Sequence, residues 1–294
     1  LVWAFYYVWY NSQSWSDSRV IDKPLLGTYD SGDRNTILSH IRMAKSSGID
    51  GFIVSWAGGV TDTRLRTVLD AAAQENFKVT ILFESMAAPT KDGLLQLLRG
   101  FFSNYENDGR YFKLDGRPVV FVYAAYKQAL SVWKDIFATL RTEGHHGFYV
   151  ADIGTFSDVS SLDVFDGIFN YSAVDILTSK PAGTLNTLST SLGLSTRSYS
   201  LLHPGAQARL WAATIMPGFD DRLLSRTVQR YLPRGDGSTY QTTFDAALAS
   251  NPDWILITSF NEYYENSYIE PSTNYASHYM DLTSQFSATF KQTI

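Results

Sequence analysis

Cysteine does not occur anywhere in the 294 residues, which excludes disulfides, a thiol nucleophile and thiolate metal sites without fixing a compartment. Positive charge is in short supply: 24 Lys and Arg stand against 29 Asp and Glu. No basic footprint suits a phosphate backbone, so nucleic acid is not an expected partner. No apolar run approaches the roughly 20 residues of a membrane-spanning helix, and no membrane span is expected. The five histidines, His40, His145, His146, His203 and His278, show no metal-type pairing; the adjacent two precede a strand, at the wrong end for a site. No glycine-rich loop cradles a phosphate before a helix. Neither metal nor organic cofactor is therefore expected. Nothing in the sequence fixes an oligomeric state.

What is present is apolar and aromatic. Hydrophobic residues make up 45% of the chain and aromatic ones 15%, with 18 Tyr and 7 Trp. That is enough for a large core, with rings left over to face a sugar. The chain starts at Leu1 rather than Met, which reads as processed or trimmed; a secreted or cell-envelope location, extracellular or periplasmic, is expected. No Pro/Gly/Ser-rich linker divides the chain, so residues 1–294 are read as one domain.

Short apolar runs alternate with stretches of helical period. Strands are predicted at 2–9, 51–56, 79–83, 119–123, 147–153, 167–170, 210–215 and 254–259, and helices at 34–47, 63–76, 92–105, 130–143, 240–250 and 275–290. The Ser/Thr/Gly-rich stretch 172–209 reads as an irregular helix and a long surface loop. Eight βα units predict a single (β/α)8 barrel, whose site forms at the C-terminal ends of the strands.

Those ends carry acids, amides and rings. After the eighth strand come Asn261, Glu262, Tyr263 and Glu265. On one helical turn the two acids project to the same side, with Cβ atoms about 5 to 6 Å apart. The plainer alternative is that Asn261 caps a short helix whose first turn merely holds two acids. Glu270, before Pro271, reads as structural. Trp3 to Tyr10 carries six rings in eight residues; two of Tyr6, Tyr7, Trp9 and Tyr10 are expected at the mouth, with Tyr7, Trp9 and Tyr10 the candidate sugar contacts, and the rest in the core. Trp56, Glu84, Tyr123 and Tyr171 end further strands and are candidate sugar contacts, as is Asp220 after the seventh. Adjacent Asp220 and Asp221 with Arg222 could also bind a cation or form a surface salt bridge; a structural or substrate contact is favoured for Asp220 over a metal ligand. Lys127 reads as solvated rather than as a Schiff-base lysine. Paired carboxyls among aromatic faces suit hydrolysis of a glycosidic bond: one protonates the leaving oxygen while the other assists attack.

These residues resemble glycoside hydrolase family 99, the endo-acting α-mannosidases and α-mannanases. The resemblance rests on Ala4-Phe-Tyr-Tyr-Val-Trp-Tyr10, Leu26-Gly-Thr-Tyr-Asp-Ser31, Gly48 to Trp56, Gly116 to Tyr123, Asn170-Tyr171, Pro217-Gly-Phe-Asp220, and above all Thr258-Ser-Phe-Asn-Glu262 with Glu265 and Ile269-Glu270-Pro271. It implies a retaining reaction in which the sugar's own 2-hydroxyl is the nucleophile. Glu262 would draw the proton from that hydroxyl, Glu265 would be the general acid and base, and Tyr171 would belong to the site. It also implies an oligosaccharide or polysaccharide partner. Tyr263-Tyr264 stand where the family has Trp-His, and Ala57 where a second aromatic often follows Trp56. The alternatives are a glycosidase of this scaffold acting on a different polysaccharide, and a carbohydrate-binding barrel with little turnover. The retained acid pair argues against the latter.

Overall fold

A computed structural model describes residues 1–293. Eight strands, β1 (Val2–Tyr6), β2 (Gly51–Trp56), β3 (Lys78–Glu84), β4 (Arg117–Tyr123), β5 (Phe148–Asp152), β6 (Gly167–Phe169), β7 (Leu210–Ile215) and β8 (Trp254–Ile257), form a closed parallel barrel. Closure comes where β1 pairs with β8, Val2 opposite Ile255. The expected (β/α)8 fold is thus observed. β1 and β8 are shorter than the sequence predicts: the chain leaves the sheet after Tyr6 and Ile257, and the residues beyond them build the mouth.

Side chains alternate along a strand, and this parity sorts the rings. Trp3, Phe5 and Tyr7 fall in the cluster that fills the barrel, with Ile53, Leu82, Phe121 and Phe169. Val2, Ala4 and Tyr6 fall in the cluster beneath the helices, with Phe52, Val54 and Trp56. Trp56 is therefore packed outward, 2% exposed, against Phe83 and Phe101, its indole donating to Asp62. Ser55 takes the inward place that a sugar-facing Trp56 would need.

The surrounding helices include α1 (Ser12–Ser16), α2 (Arg34–Ser46), α3 (Gly59–Glu75), α4 (Lys91–Tyr105), α5 (Leu130–Thr142), α6 (Val174–Ser179), α7 (Thr184–Leu202), α8 (Ser238–Ala249) and α9 (His278–Thr293). α2 starts where the Asp33 carboxylate accepts from the Thr36 amide and buries Ile37, Ile41 and Ala44. Gly48 follows at φ +77°, the left-handed conformation that favours glycine.

The stretch expected to be irregular holds a regular helix of 19 residues, α7. Its many Ser and Thr lower intrinsic propensity. One buried face of Leu185, Ser189, Leu192, Thr196 and Tyr199 overrides that. Gly193 lets α7 reach the turn after α8: a Cβ there would lie 2.1 Å from the Ser250 carbonyl oxygen.

Candidate active site

Glu262 is 2% exposed, and the position of its carboxyl is fixed from several sides. Its amide donates to Ser259 Oγ at 2.8 Å, and its Oε1 accepts from the Tyr264 amide at 2.9 Å and from the Tyr10 hydroxyl at 3.3 Å. Asn261 does not cap a helix. Its carboxamide accepts from the Tyr7 amide at 2.8 Å and donates to the Tyr7 carbonyl at 2.9 Å, tying the segment after β8 to the end of β1. A turn over residues 263–266 then brings Glu265 to the cavity that Glu262 lines.

That cavity encloses about 210 Å³ and is walled by Tyr7, Trp9, Tyr123, Tyr171 and Tyr264. Inward parity delivers its parts: Leu82 and Glu84 from β3, and Tyr123, opposite Glu84 in the register, from β4. The Tyr7 and Tyr171 hydroxyls share a hydrogen bond. Tyr171 is held by its amide, which donates to Asp152 Oδ1 at 3.2 Å, and by its carbonyl, which accepts from Thr258 Oγ1 at 3.0 Å. A second cavity of about 150 Å³, lined by Tyr126, Asp152, Asn170 and Asp175 among others, shares Tyr123, Tyr171, Arg226 and Glu265 with the first.

Burial governs the protonation of this site. It raises Glu262 well above the usual carboxylate range, and the charge of Glu265 raises it further. Glu265 is raised as well, by burial, but Arg226 counters this through an ion pair at 2.6 Å. Glu84 is pushed up by burial to about 7, although Ser55 Oγ donates to it at 2.7 Å. Three carboxyls around one small cavity cannot all be ionised cheaply, so near neutrality the site carries protons to give. Tyr7 and Tyr171 are likewise raised by burial and remain hydroxyl donors.

Of the residues singled out in the sequence, Tyr7, Trp9, Glu84, Tyr123, Tyr171, Glu262 and Glu265 line the first cavity. Five others lie elsewhere. Trp56 faces the helix layer, as its parity dictates. Tyr10, fully buried, stacks on Trp15 with ring centroids 4.6 Å apart and reaches the site only through its hydroxyl. Tyr263, also fully buried, stacks on Tyr268 at 4.1 Å. Asn261 is the tie between strands described above. Asp220 is paired with Arg222 at 2.8 Å, the surface-bridge alternative, while its amide donates to the Glu265 carbonyl at 2.7 Å. Glu270 is structural: with His40 at 3.0 Å and the Tyr29 hydroxyl at 3.0 Å it forms a buried group behind Asn261.

Sequence reasoning missed Asp152, Tyr264 and Arg226. Asp152 is an acid at the C-terminal end of β5, a signal of the kind that marked Glu84; burial raises it to about 6, and it accepts from the amides of Ala124, Gly154 and Tyr171. Arg226 lies within the ten-residue loop 221–230, between the short antiparallel strands Phe219–Asp220 and Tyr231–Leu232, and no local pattern announces it. Among the described residues, no three His, Asp or Glu side chains are grouped as a metal cluster, and no helix is long and apolar enough to cross a membrane.

The chain is 24% identical over 306 residues to the glycoprotein endo-alpha-1,2-mannosidase of Mus musculus, covering 92% of this chain and 63% of that protein. It is 25% identical over 272 residues to that of Rattus norvegicus, covering 84% and 56%. It therefore spans about three-fifths of the length of these curated relatives. The family 99 endo-alpha-mannosidase from Bacteroides thetaiotaomicron has the same fold, with a TM-score of 0.83 over 99% of this chain and 97% of that one at 23% identity. Residues 17–290 match the sequence profile of glycosyl hydrolase family 99, and the chain belongs to that family.

Proposed function

We propose that the protein is a retaining glycoside hydrolase that cleaves α-mannoside-type linkages within a glycan or polysaccharide, using Glu262 and Glu265. The observation that carries this reading is the convergence of both carboxyls on one ring-walled cavity at the C-terminal mouth of the barrel. The names of the Mus musculus and Rattus norvegicus relatives support the choice of linkage.

In the first step Glu262 takes the proton of the sugar's 2-hydroxyl, O2 attacks C1, and Glu265 protonates the departing glycosidic oxygen. The bond from C1 to the leaving oxygen breaks as the bond from O2 to C1 forms. In the second step Glu265 removes a proton from water, water opens the strained ring at C1, and Glu262 returns the proton to O2. C1 is inverted in configuration twice, once by O2 and once by water, so the anomer is retained. This route departs from the usual carboxylate nucleophile and needs a 2-hydroxyl trans to the leaving group, as α-mannosides have. Tyr7, Trp9 and Tyr171 supply ring faces and hydroxyl donors around the sugar.

The test replaces Glu262 and Glu265 separately with Gln and measures turnover and binding on a panel of α-mannans and other polysaccharides. Each variant is expected to lose at least about a thousandfold in kcat while still binding. Proton NMR of the first-formed product is expected to report the α-anomer. Turnover that survives both substitutions overturns the assignment, and a β-anomer overturns the retaining route.

A further inference from the structure

Glu265 makes one side-chain hydrogen bond among the described residues, and its partner is Arg226, Nη2 to Oε1 at 2.6 Å. The other arm of the guanidinium meets Asp221, which is fully buried, at 3.0 Å, and Asp221 also accepts from the Arg230 amide at 2.5 Å. Arg226 is thus a cation held between a fixed carboxylate beneath it and the carboxyl proposed as general acid. It also belongs to the wall shared by the two cavities, as Glu265 does. A glycan running from one cavity into the other passes these two side chains together with Tyr123 and Tyr171, which both cavities also share.

This arrangement is not the reacting one, because Glu265 Oε1 is taken by Arg226. A guanidinium can only donate, so while it occupies Oε1 it favours the ionised form of Glu265, against the effect of burial, and bars the leaving oxygen from that atom. We propose that Arg226 is a latch on Glu265, closed when the cleft is empty and displaced toward Asp221 by a glycan that fills both cavities. The proposal rests on the reading of Glu262 and Glu265 as the working pair.

With the latch closed, a proton shared by the two carboxyls is biased toward Glu262, which the chemistry needs ionised, because Arg226 favours the charge on Glu265. With it open, the proton passes to Glu265, and the number of protons is unchanged. The groups facing Glu265 agree with this balance. Arg226 and Arg230 favour its charge, while Glu262, Glu84 and Asp221 oppose it, and Tyr7, Tyr123 and Tyr171 face it as neutral hydroxyls. The loop that carries the latch is held at its ends, where Asp221 accepts from the Arg230 amide and Arg230 pairs with Asp175 at 2.6 Å, and is exposed between them. The Arg226 side chain is 42% exposed, and Leu223 and Val228 of the same loop point to solvent. The loop can therefore shift without opening the core.

The latch makes a sugar chain in the second cavity a condition for fast hydrolysis. Two substrates separate the cases: a short aryl α-mannoside whose leaving group ends before the second cavity, and an α-mannan oligosaccharide that spans both. Arg226→Gln is expected to raise the ratio of kcat/KM on the short to that on the long substrate about tenfold, the change that one unit of relative proton affinity gives. The acidic limb of its kcat/KM profile is expected to move to higher pH, because the first proton to leave the pair is then held more tightly. Arg226→Lys, which keeps the charge, is expected to restore the wild-type limb. If the ratio stays put and the limb does not move, or if the Lys variant behaves like Gln, the latch is wrong. Glu265→Gln, assayed beside them, separates the two ideas. Loss of turnover there with an unmoved Arg226→Gln profile removes the latch alone, whereas undiminished turnover removes the catalytic reading and the latch together.

Discussion

The hydroxyl of Tyr10 donates to Oε1 of Glu262 across 3.3 Å while accepting from the Tyr263 amide at 2.8 Å, linking two points 252 residues apart in the chain. Tyr10 is thereby a positioning residue for Glu262 rather than a sugar contact, and its bond favours the ionised carboxylate. Tyr10→Phe removes the bond and keeps the ring. A hydrogen bond to a charged group contributes about 1.5 to 3 kcal/mol; this one is long, so kcat is expected to fall about tenfold. Because Glu262 must be ionised to act, the acidic limb of the pH profile is expected to move to higher pH. An unchanged profile would mean that the hydroxyl serves packing only.

The contact of α7 with the turn after α8 gives a prediction about stability alone. Gly193→Ala puts a methyl group against the Ser250 carbonyl, backbone that cannot rotate away, and is expected to cost about 1 to 3 kcal/mol. Gly100, inside α4, has nothing within 4 Å of its would-be Cβ. Gly100→Ala is therefore expected to stabilise by about 0.5 to 1 kcal/mol. Urea unfolding of the two variants checks both signs; if Gly193→Ala proves neutral, α7 does not need the close approach.

How much of this was legible follows from the kind of signal each residue carries. The eight strands were readable because parallel strands buried on both faces leave unbroken apolar runs. The acids at their ends were readable because position in the fold gives them meaning. Parity within a run was harder: Tyr6 and Tyr7 look alike in sequence, yet one accompanies His40 under the helices and the other reaches the cavity. Trp56 failed for the same reason. α7 was hidden because its stability comes from contacts with α8 rather than from its own Ser-rich composition. Arg226 was invisible, since only the path of a loop brings it to Glu265, 39 residues away.

Behind the site, Glu270 and His40 are both almost fully buried, 3.0 Å apart. Tyr6 meets His40 Nδ1 at 2.9 Å and Tyr29 donates to Glu270 Oε2 at 3.0 Å. Removing one partner of such a group leaves buried polar atoms of the others unsatisfied, at a cost of about 1 to 3 kcal/mol. Glu270→Ala is expected to lower stability by that amount in chemical denaturation. Tyr29 also accepts from Asn261 at 3.3 Å, so activity near the unfolding range is expected to fall before global unfolding. A change below about 1 kcal/mol would show that the pair is dispensable for folding.

Glu84 gives a prediction in which stability and activity run on one titration. Its carboxyl, ordinarily at 4.5, is raised to about 7 by burial. The folded protein therefore binds a proton that the unfolded chain has released, and Glu84 weakens the fold progressively as pH rises from about 4.5 to about 7. Below that window both states are protonated and the group contributes no slope; above it both are ionised and the penalty is constant. Glu84→Gln keeps the neutral form at every pH. Its melting temperature is expected to match the wild type near pH 4 and to exceed it by a margin that grows through the window and then levels off. The same substitution tests the role of Glu84 in the cavity. If the neutral carboxyl holds the substrate, the variant retains activity at acidic pH and differs from wild type only above about 7, where wild-type Glu84 ionises. Parallel melting curves at all pH values would mean that the carboxyl titrates normally, and the count of protons available in the cavity would fall by one.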